Sequence, residues 1–252
     1  YRHYFFKGIK RFLDSEKVSQ IEKEIKEQYH EDIESFENKI QTGENDSIIC
    51  SLIRQDSIEK FVTFLNENNV SISDTIQPSQ YETNPFLIGK KITFIEYAAF
   101  FGSVQIFQYL HSNQVKLNDF LWIYAVHSNK LELIHLIENL IKLDDKKYEF
   151  VLKEAIKCHH NETSNYIIKN LMSSKKIIGE NFESIILDSY NFHFFPSDIS
   201  YIFTRPKNRN GFNIANLGFN CKTITIPSSV KSIEKFVFQG CSFLVEVKIP
   251  FS

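Results

Sequence analysis

Residues 93–110, TFIEYAAFFGSVQIFQYL, contain two apolar segments separated by a glycine and a serine. In the second segment the apolar residues Ile106, Phe107 and Leu110 are spaced as on one side of a helix. Gly102 stands between the segments, where a residue that tolerates a left-handed backbone angle allows the chain to reverse. The stretch therefore predicts a short helix, a tight turn and a second helix.

The same pattern recurs three more times along the chain. Taking Ala98 as the reference, the equivalent residues are Leu52 (98 minus 52 is 46), Ala125 (an offset of 27) and Ala155 (a further 30). The alanines at 98, 125 and 155 allow neighbouring helix pairs to pack closely, and one isolated pair could not bury its apolar faces. We therefore predict stacked helix pairs, with a blurred fifth copy at residues 182–203.

Asp56 and Asn129 occupy the turn position that Gly102 holds, and both residue types tolerate left-handed backbone angles. The segment from Thr93 to Leu110 resembles the ankyrin pattern T-P-L-H-x-A-A-x-x-G, with Phe94 in place of proline and Glu96 in place of histidine. Residues 46–203 as a whole resemble the divergent ankyrin-like repeat domain of large protist protein families. The resemblance implies a mainly α fold, an ankyrin-like helical-repeat solenoid, in which the T-P-L-H turn network is not intact.

Residues 1–45 form an N-terminal amphipathic helical region. One apolar stripe runs from Val18 to Ile40 with spacings of three and four residues, and the opposite face is rich in Glu and Lys. The pattern predicts a helix or a helix pair, with a break at Asp14 or Ser15. We interpret the region as a cap over the apolar face of the first repeat. A self-associating coiled coil is the alternative.

The insertion between the first two helix pairs, residues 71–91, contains the polar stretches Ser-Ile-Ser-Asp, Gln-Pro-Ser-Gln and Glu-Thr-Asn-Pro. Such a composition predicts an irregular surface loop, and a loop of this length is either disordered or functional.

The C-terminal part changes from helical to alternating periodicity. Residues 204–220 are a polar linker, and beyond them Ile226-Pro227 recurs as Ile249-Pro250, 23 residues later. Residues 221–252 resemble the start of a BspA-type leucine-rich-repeat array, a small β-rich segment. The resemblance implies neighbouring parallel strands, with Phe238, Cys241 and Leu244 turned inward. We expect the natural protein to continue beyond these repeats.

Charge and cysteine content narrow the class of protein. A net charge of −2 argues against nucleic-acid binding. The four cysteines are far apart and form no C-x-x-C pair, which favours a reducing compartment. No apolar run is long enough to span a membrane. The sequence therefore favours a cytoplasmic protein over a cell-surface one.

No catalytic motif or metal-ligand spacing is present. Cys158, His159 and His160 form the one metal-like cluster, and we interpret it as a repeat turn because a second Cys/His pair is lacking. Trp122 aligns with core positions of the other copies, so we predict it to be buried. The sequence predicts no enzyme, no metal and no cofactor.

The leading hypothesis is a protein–protein interaction scaffold or adaptor. In ankyrin arrays the two positions after the Ala-Ala pair face the concave binding surface, and an aromatic residue there is a typical binding anchor. We expect Phe100 or Phe101 to be that anchor, unless one of them packs under a neighbour. The resemblance places the following residues at the partner-binding surface: Arg54, Gln55, Phe100, Phe101, His127, Ser128, Lys157 and Cys158.

The alternative is a cell-surface or secreted recognition or adhesion protein that acts through the leucine-rich repeats. BspA-type repeats occur in surface-associated proteins, and Asn161-Glu162-Thr163 matches the N-glycosylation pattern. A sugar on Asn161 would favour this alternative. The sequence identifies neither the partner protein nor the oligomeric state.

Overall fold

A computed structural model describes residues 3–172, the single positions 185, 189, 191 and 193, and the segments 223–225 and 245–249. The chain forms two compact units, Tyr1–Lys142 and Leu143–Ser252. Several predicted features lie outside the described residues: most of the fifth helical copy, the linker 204–220, and Phe238, Cys241 and Leu244.

The described part is mainly helical, which confirms the predicted fold class at that level. Within it, the first unit contains α1 (Phe6–Ile9) and a 3-10 turn (Lys10–Phe12), then α2 (Ser15–Tyr29), α3 (Ile33–Thr42), α4 (Ile48–Arg54), α5 (Ile58–Glu67), α6 (Phe94–Phe101), α7 (Val104–Ser112), α8 (Leu121–Ser128) and α9 (Leu131–Leu140). The second unit contains α10 (Asp145–Lys157), α11 (Asn161–Tyr166), a π-helical turn (Ile167–Leu171), β1 (Thr223–Thr225) and β2 (Glu246–Lys248). None of the described helices is both long and apolar enough to cross a membrane.

The helices of the first unit pack as pairs. The first helices of the pairs are α4, α6 and α8, and they contact α5, α7 and α9 respectively. Neighbouring pairs also touch, because α6 contacts both α4 and α8. Ala98 in α6 and Ala125 in α8 are wholly buried, and in the second unit so is Ala155 in α10. The small residues therefore occupy close-packed helix contacts, as the recurrence predicted.

A left-handed residue ends the first helix of every pair. The φ angles are 49° at Asp56, 71° at Gly102, 52° at Asn129 and 59° at His159. These residues are separated by 46, 27 and 30 positions (102 minus 56, 129 minus 102, 159 minus 129), the same offsets at which the sequence recurs. The prediction of left-handed turns at the first three positions is confirmed, and Cys158-His159-His160 forms the fourth such turn.

Side chains at these turns join one pair to the next. The Asp56 carboxylate accepts hydrogen bonds from the backbone N–H groups of Gln105 and Ile106, both at 3.0 Å, and so caps the start of α7. The Ser103 hydroxyl donates to the carbonyl of Ile53 in the preceding pair. Turn geometry and packing between pairs are therefore coupled.

Gly102 is required at its turn for a second reason. A Cβ atom built there would lie 2.7 Å from Cδ of Lys130, whose ammonium group donates to the Gly102 carbonyl at 2.7 Å. A side chain at Gly102 would therefore both strain the backbone and displace this contact.

The start of α6 has a hydrogen-bond network of its own in place of the T-P-L-H turn. Thr93 and Glu96 form a reciprocal capping box, in which the Glu96 carboxylate accepts from Thr93 N–H at 2.9 Å. Glu96 is buried and also accepts from the Asn118 amide at 3.1 Å, which ties the capping box to the segment before α8. Glu96 thus replaces the expected histidine with a different cap.

The structure confirms the predicted burial of Trp122. Its side chain is wholly buried, and the indole N–H donates to the Ile141 carbonyl at 3.0 Å. A buried indole with a satisfied donor is a packing residue.

The N-terminal region is a helix pair and not one continuous helix. Asp14 caps α2, which confirms the predicted break, and the left-handed His30 ends it before α3 begins. The apolar stripe forms a cluster with Phe6 and with Tyr81 from the insertion. Among the described residues this cluster contains none from α4 or α5, and the interpretation of the stripe as a cap over the first repeat stays a prediction.

The insertion, residues 71–91, is called the strap from here on. It is irregular as predicted, with an isolated bridge between Thr75 and Thr93, but it is not simply a surface loop. Ile76, Tyr81 and Leu87 are buried, and Thr83 N–H donates to the Gly43 carbonyl at 2.9 Å. The strap therefore joins the N-terminal helices to the helix pairs.

In the second unit, β1 and β2 pair in parallel, with Ile224 opposite Val247. Their separation, 247 minus 224, is the 23-residue offset of the Ile-Pro recurrence. The assignment of this segment to a leucine-rich-repeat array stays a prediction.

We expect Asp56→Ala to lower the free energy of unfolding by about 1–2 kcal/mol, because α7 loses its carboxylate cap and alanine tolerates the left-handed angle poorly. Asp56→Asn is the matched control, since an amide oxygen and a left-handed angle are both retained. Urea denaturation of the parent and of both variants measures the free energy of unfolding. An equal loss of stability in the two variants would contradict the capping role.

Ala125→Phe should lower the free energy of unfolding by about 1–3 kcal/mol or more, because a ring is forced between close-packed helices. Gln108→Phe places the same ring on the exposed side of α7 and serves as the control. Denaturation midpoints decide the matter: an unchanged midpoint for Ala125→Phe would mean that the α6–α8 contact is not close-packed.

Candidate functional site

The predicted partner-binding residues occupy the same place in each helix pair, at the end of the first helix. Arg54, Phe101 and Ser128 are the last residues of α4, α6 and α8, and Lys157 is the last residue of α10. The position follows from the turns, since each first helix ends one or two residues before a left-handed residue.

Aromatic side chains from neighbouring pairs form a continuous row in the first unit. The Phe101 and Phe100 rings are 5.1 Å apart, and the Phe100 and His127 rings stack at 5.0 Å with an interplanar angle of 24°. A fourth ring, Phe86 of the strap, lies 4.2 Å from His127. Phe101, Phe100, His127 and Phe86 are called the ring row below.

Cations lie over both ends of the ring row. The Arg54 guanidinium lies 5.7 Å from the centre of the Phe101 ring, and the Lys90 ammonium lies 5.0 Å from the centre of Phe86. Each distance is within the range of a cation–π interaction. The row therefore runs from α4 through α6 and α8 to the strap.

Arg54 is held in a fixed orientation. Its Nε lies 2.8 Å from a carboxylate oxygen of Glu44, and one terminal nitrogen donates to the Asn45 carbonyl at 2.9 Å and to the Tyr97 hydroxyl at 2.6 Å. Burial raises the pKa of Tyr97 well above its ordinary value, so its hydroxyl stays neutral. The guanidinium beside Phe101 is therefore preorganised.

The two phenylalanines differ in accessibility. Phe100 is only 8% exposed and contacts Phe101, His127 and Tyr124, so its role is packing. Phe101 at the end of α6 is half-buried and keeps part of its ring accessible. Of the two candidate anchors, Phe101 is thus the accessible one.

Gln55, Ser128 and Lys157, three further polar members of the predicted set, have described contacts outside the ring row. Gln55 is exposed, and its amide donates to Ser51 at 3.0 Å. The Ser128 hydroxyl donates to the Ala125 carbonyl at 2.7 Å within its own turn. In the second unit, Lys157 is exposed and lies 3.5 Å from Glu154.

Cysteine reactivity is low at both described thiols. Burial raises the pKa of Cys158 to about 11, with a smaller contribution from nearby Glu154. Burial also raises the pKa of the wholly buried Cys50. Because the thiolate is the nucleophile, neither thiol is activated at neutral pH.

Sequence reasoning missed Phe86 and Lys90. A signal was present, because Phe86-Leu87-Ile88 is the one apolar triplet in an otherwise polar insertion. Its significance could not be predicted, since nothing local specifies that Phe86 reaches a histidine 41 residues further along the chain (127 minus 86).

A small cleft lies between the strap and the helices. It has a volume of about 160 Å³, and Asn45, Glu82, Lys90 and Tyr97 are among its lining residues. Asn45 is buried, and its amide donates to the Gln77 carbonyl at 2.8 Å. The cleft is thus a product of the way the strap packs.

The glycosylation pattern at Asn161 lies inside α11. Thr163, the third residue of the glycosylation pattern, is wholly buried. The Asn161 side-chain oxygen also accepts a hydrogen bond from Asn191 at 2.9 Å.

Comparison with protein-family models, curated proteins and solved structures found no match to this chain.

Proposed function

We propose that the protein is a non-catalytic scaffold or adaptor that binds another protein through the ends of α4, α6 and α8. The observation that carries the proposal is the ring row with Arg54 at its end, because it collects side chains from successive helix pairs on one line. Binding surfaces of this kind arise when repeated helix pairs stack into an ankyrin-like solenoid.

Phe101 and Arg54 are the proposed binding anchor. Aromatic and Arg side chains dominate the energetics of protein interfaces. Glu44, Asn45 and Tyr97 already hold Arg54 in place. Binding of a partner therefore costs little conformational entropy at this side chain. The half-buried Phe101 ring adds apolar area that remains accessible.

The chemistry of the described residues supports a binding role. The thiols of Cys50 and Cys158 both have raised pKa values, and the buried Glu96 is engaged by Thr93 and Asn118 in a helix cap. Packing and helix capping account for these groups. Protein binding is the function that the surface supports best. We propose a cytoplasmic location, which suits two cysteines that form no disulfide among the described residues.

Recognition or adhesion through the leucine-rich repeats is the second candidate. Its support is the parallel pairing of β1 and β2 at the 23-residue offset, which is the arrangement that the BspA-type resemblance implies. Such an array would provide a second binding surface.

The test is capture of partners from a lysate of the source cells by the immobilised chain. A Gln55→Ala/Phe101→Ala variant should lose a captured protein that the parent retains. Removal of a true anchor costs roughly 2 kcal/mol or more, which corresponds to about a thirtyfold loss of affinity.

Gln108→Ala/His135→Ala is the matched control, because both residues are exposed on second helices, α7 and α9. It should capture the same proteins as the parent. Equal capture by all three proteins, with equal denaturation midpoints, would refute binding through the ends of the first helices.

A further inference from the structure

The end of the ring row at His127 is occupied by the chain itself. Phe86 of the strap packs on His127 at 4.2 Å, and His127 in turn stacks on the buried Phe100 at 5.0 Å. Phe86 is half-buried there, and Leu87 beside it is buried. The strap thus places an aromatic side chain where the proposed binding surface continues from α6 to α8.

We propose that strap residues 84–91, called the strap tip, are a built-in occupant of this site, and that the partner presents an aromatic side chain on a peptide turn that displaces Phe86. The inference rests on the proposed function, because it names the kind of partner for the same surface. It adds that the unliganded surface is partly closed by the chain itself.

Most of the strap's hydrogen bonds to other parts of the chain lie before the tip. This distribution allows the tip to move while the remainder of the strap stays in place. Before the tip, Thr83 is bonded to Gly43, Tyr81 donates to Glu31 at 3.2 Å, and Ser79 donates to Asp46 at 2.8 Å. Tyr81 is also part of the N-terminal apolar cluster. These contacts fix residues 79–83 of the strap to the segments on either side of α3.

The tip itself is held differently. The hydrogen bonds of residues 84–91 in the structure stay within the strap: Asn84 accepts from the N–H groups of Phe86, Leu87 and Ile88. Apart from the chain itself, which continues into α6, the Phe86 ring on His127 and the buried Leu87 side chain are the described contacts that anchor the tip. Ile88 is 50% exposed, and Gly89 has a φ of 67°, where the tip turns back toward α6.

The occupant indicates the chemistry of the partner segment. An aromatic residue supplies the ring that packs on His127 at a tilted angle, and an aliphatic residue follows it, as Leu87 does here. A basic residue four positions later covers the outer face of the ring, as Lys90 does at 5.0 Å. A segment of the type Phe-Leu-x-x-Lys that forms the same turn as residues 85–89 would reproduce these contacts.

A tethered occupant has a large advantage over a free peptide. The effective concentration of a segment on a short tether reaches the millimolar range. The parent chain should therefore bind a free copy of the tip weakly, and release of the tip should raise the apparent affinity.

The experiment uses a fluorescent synthetic peptide with the sequence of residues 83–92, TNPFLIGKKI, and the full chain. Phe86→Ala/Leu87→Ala is the released variant. Fluorescence anisotropy should show that it binds the peptide at least about tenfold more tightly than the parent does. Ile88→Ala, an exposed change on the same tip, should behave like the parent.

Two changes test that the peptide binds at the proposed site. Adding His127→Ala to the released variant should abolish the gain, and so should replacing the peptide's Phe with Ala. The proposal is overturned if parent and released variant bind equally, or if the gain survives the loss of His127.

A second measurement uses the unmodified chain and does not depend on the stability of the variants. Hydrogen exchange of residues 84–91 should become several-fold faster when excess peptide is added, because the tip is displaced. The peptide without Phe should have no effect, and unchanged exchange with either peptide would count against displacement. Failure here, combined with loss of lysate capture for Gln55→Ala/Phe101→Ala, would mean that partners bind without moving the tip.

Discussion

The left-handed residue at the end of each first helix is the constraint on which the helix pairs depend. At Asp56, Gly102, Asn129 and His159 the chain leaves the helix and reverses within a few residues. In the first unit, the reversal brings the next helix back along the previous one, so that α6 can contact both α4 and α8. A β-branched or bulky residue could not hold this angle without strain, which explains why Gly, Asn, Asp and His occupy these positions.

The same constraint generates the binding surface. Because each first helix ends one or two residues before its left-handed residue, the side chains near the ends of α4, α6 and α8 fall in register. Arg54, Phe101 and His127 therefore come from separate helix pairs and still belong to one row of contacts. The turns also carry bonds between pairs, such as Asp56 to α7, so the spacing of the row is held by the frame.

The strap modifies this surface without belonging to the repeats. Its first half is fixed by Tyr81 and Thr83, and its tip extends Phe86 to the His127 end of the row. One end of the row, at Arg54 and Phe101, consequently remains available while the other end is covered. In our proposal a partner therefore contacts the open end of the row and competes with the tip for the covered end.

The sequence by itself determined the helix pairs, the turn positions and the burial of Ala98, Ala125 and Trp122. These features depend on local spacing and on the few residue types that tolerate a left-handed angle, so the recurrence was sufficient to predict them. Only the tertiary structure decided which ring is accessible, because Phe100 and Phe101 are neighbours of the same type and differ only in what packs on them. Tertiary structure also decided the place of Phe86, since no local pattern specifies a contact between residues 41 positions apart.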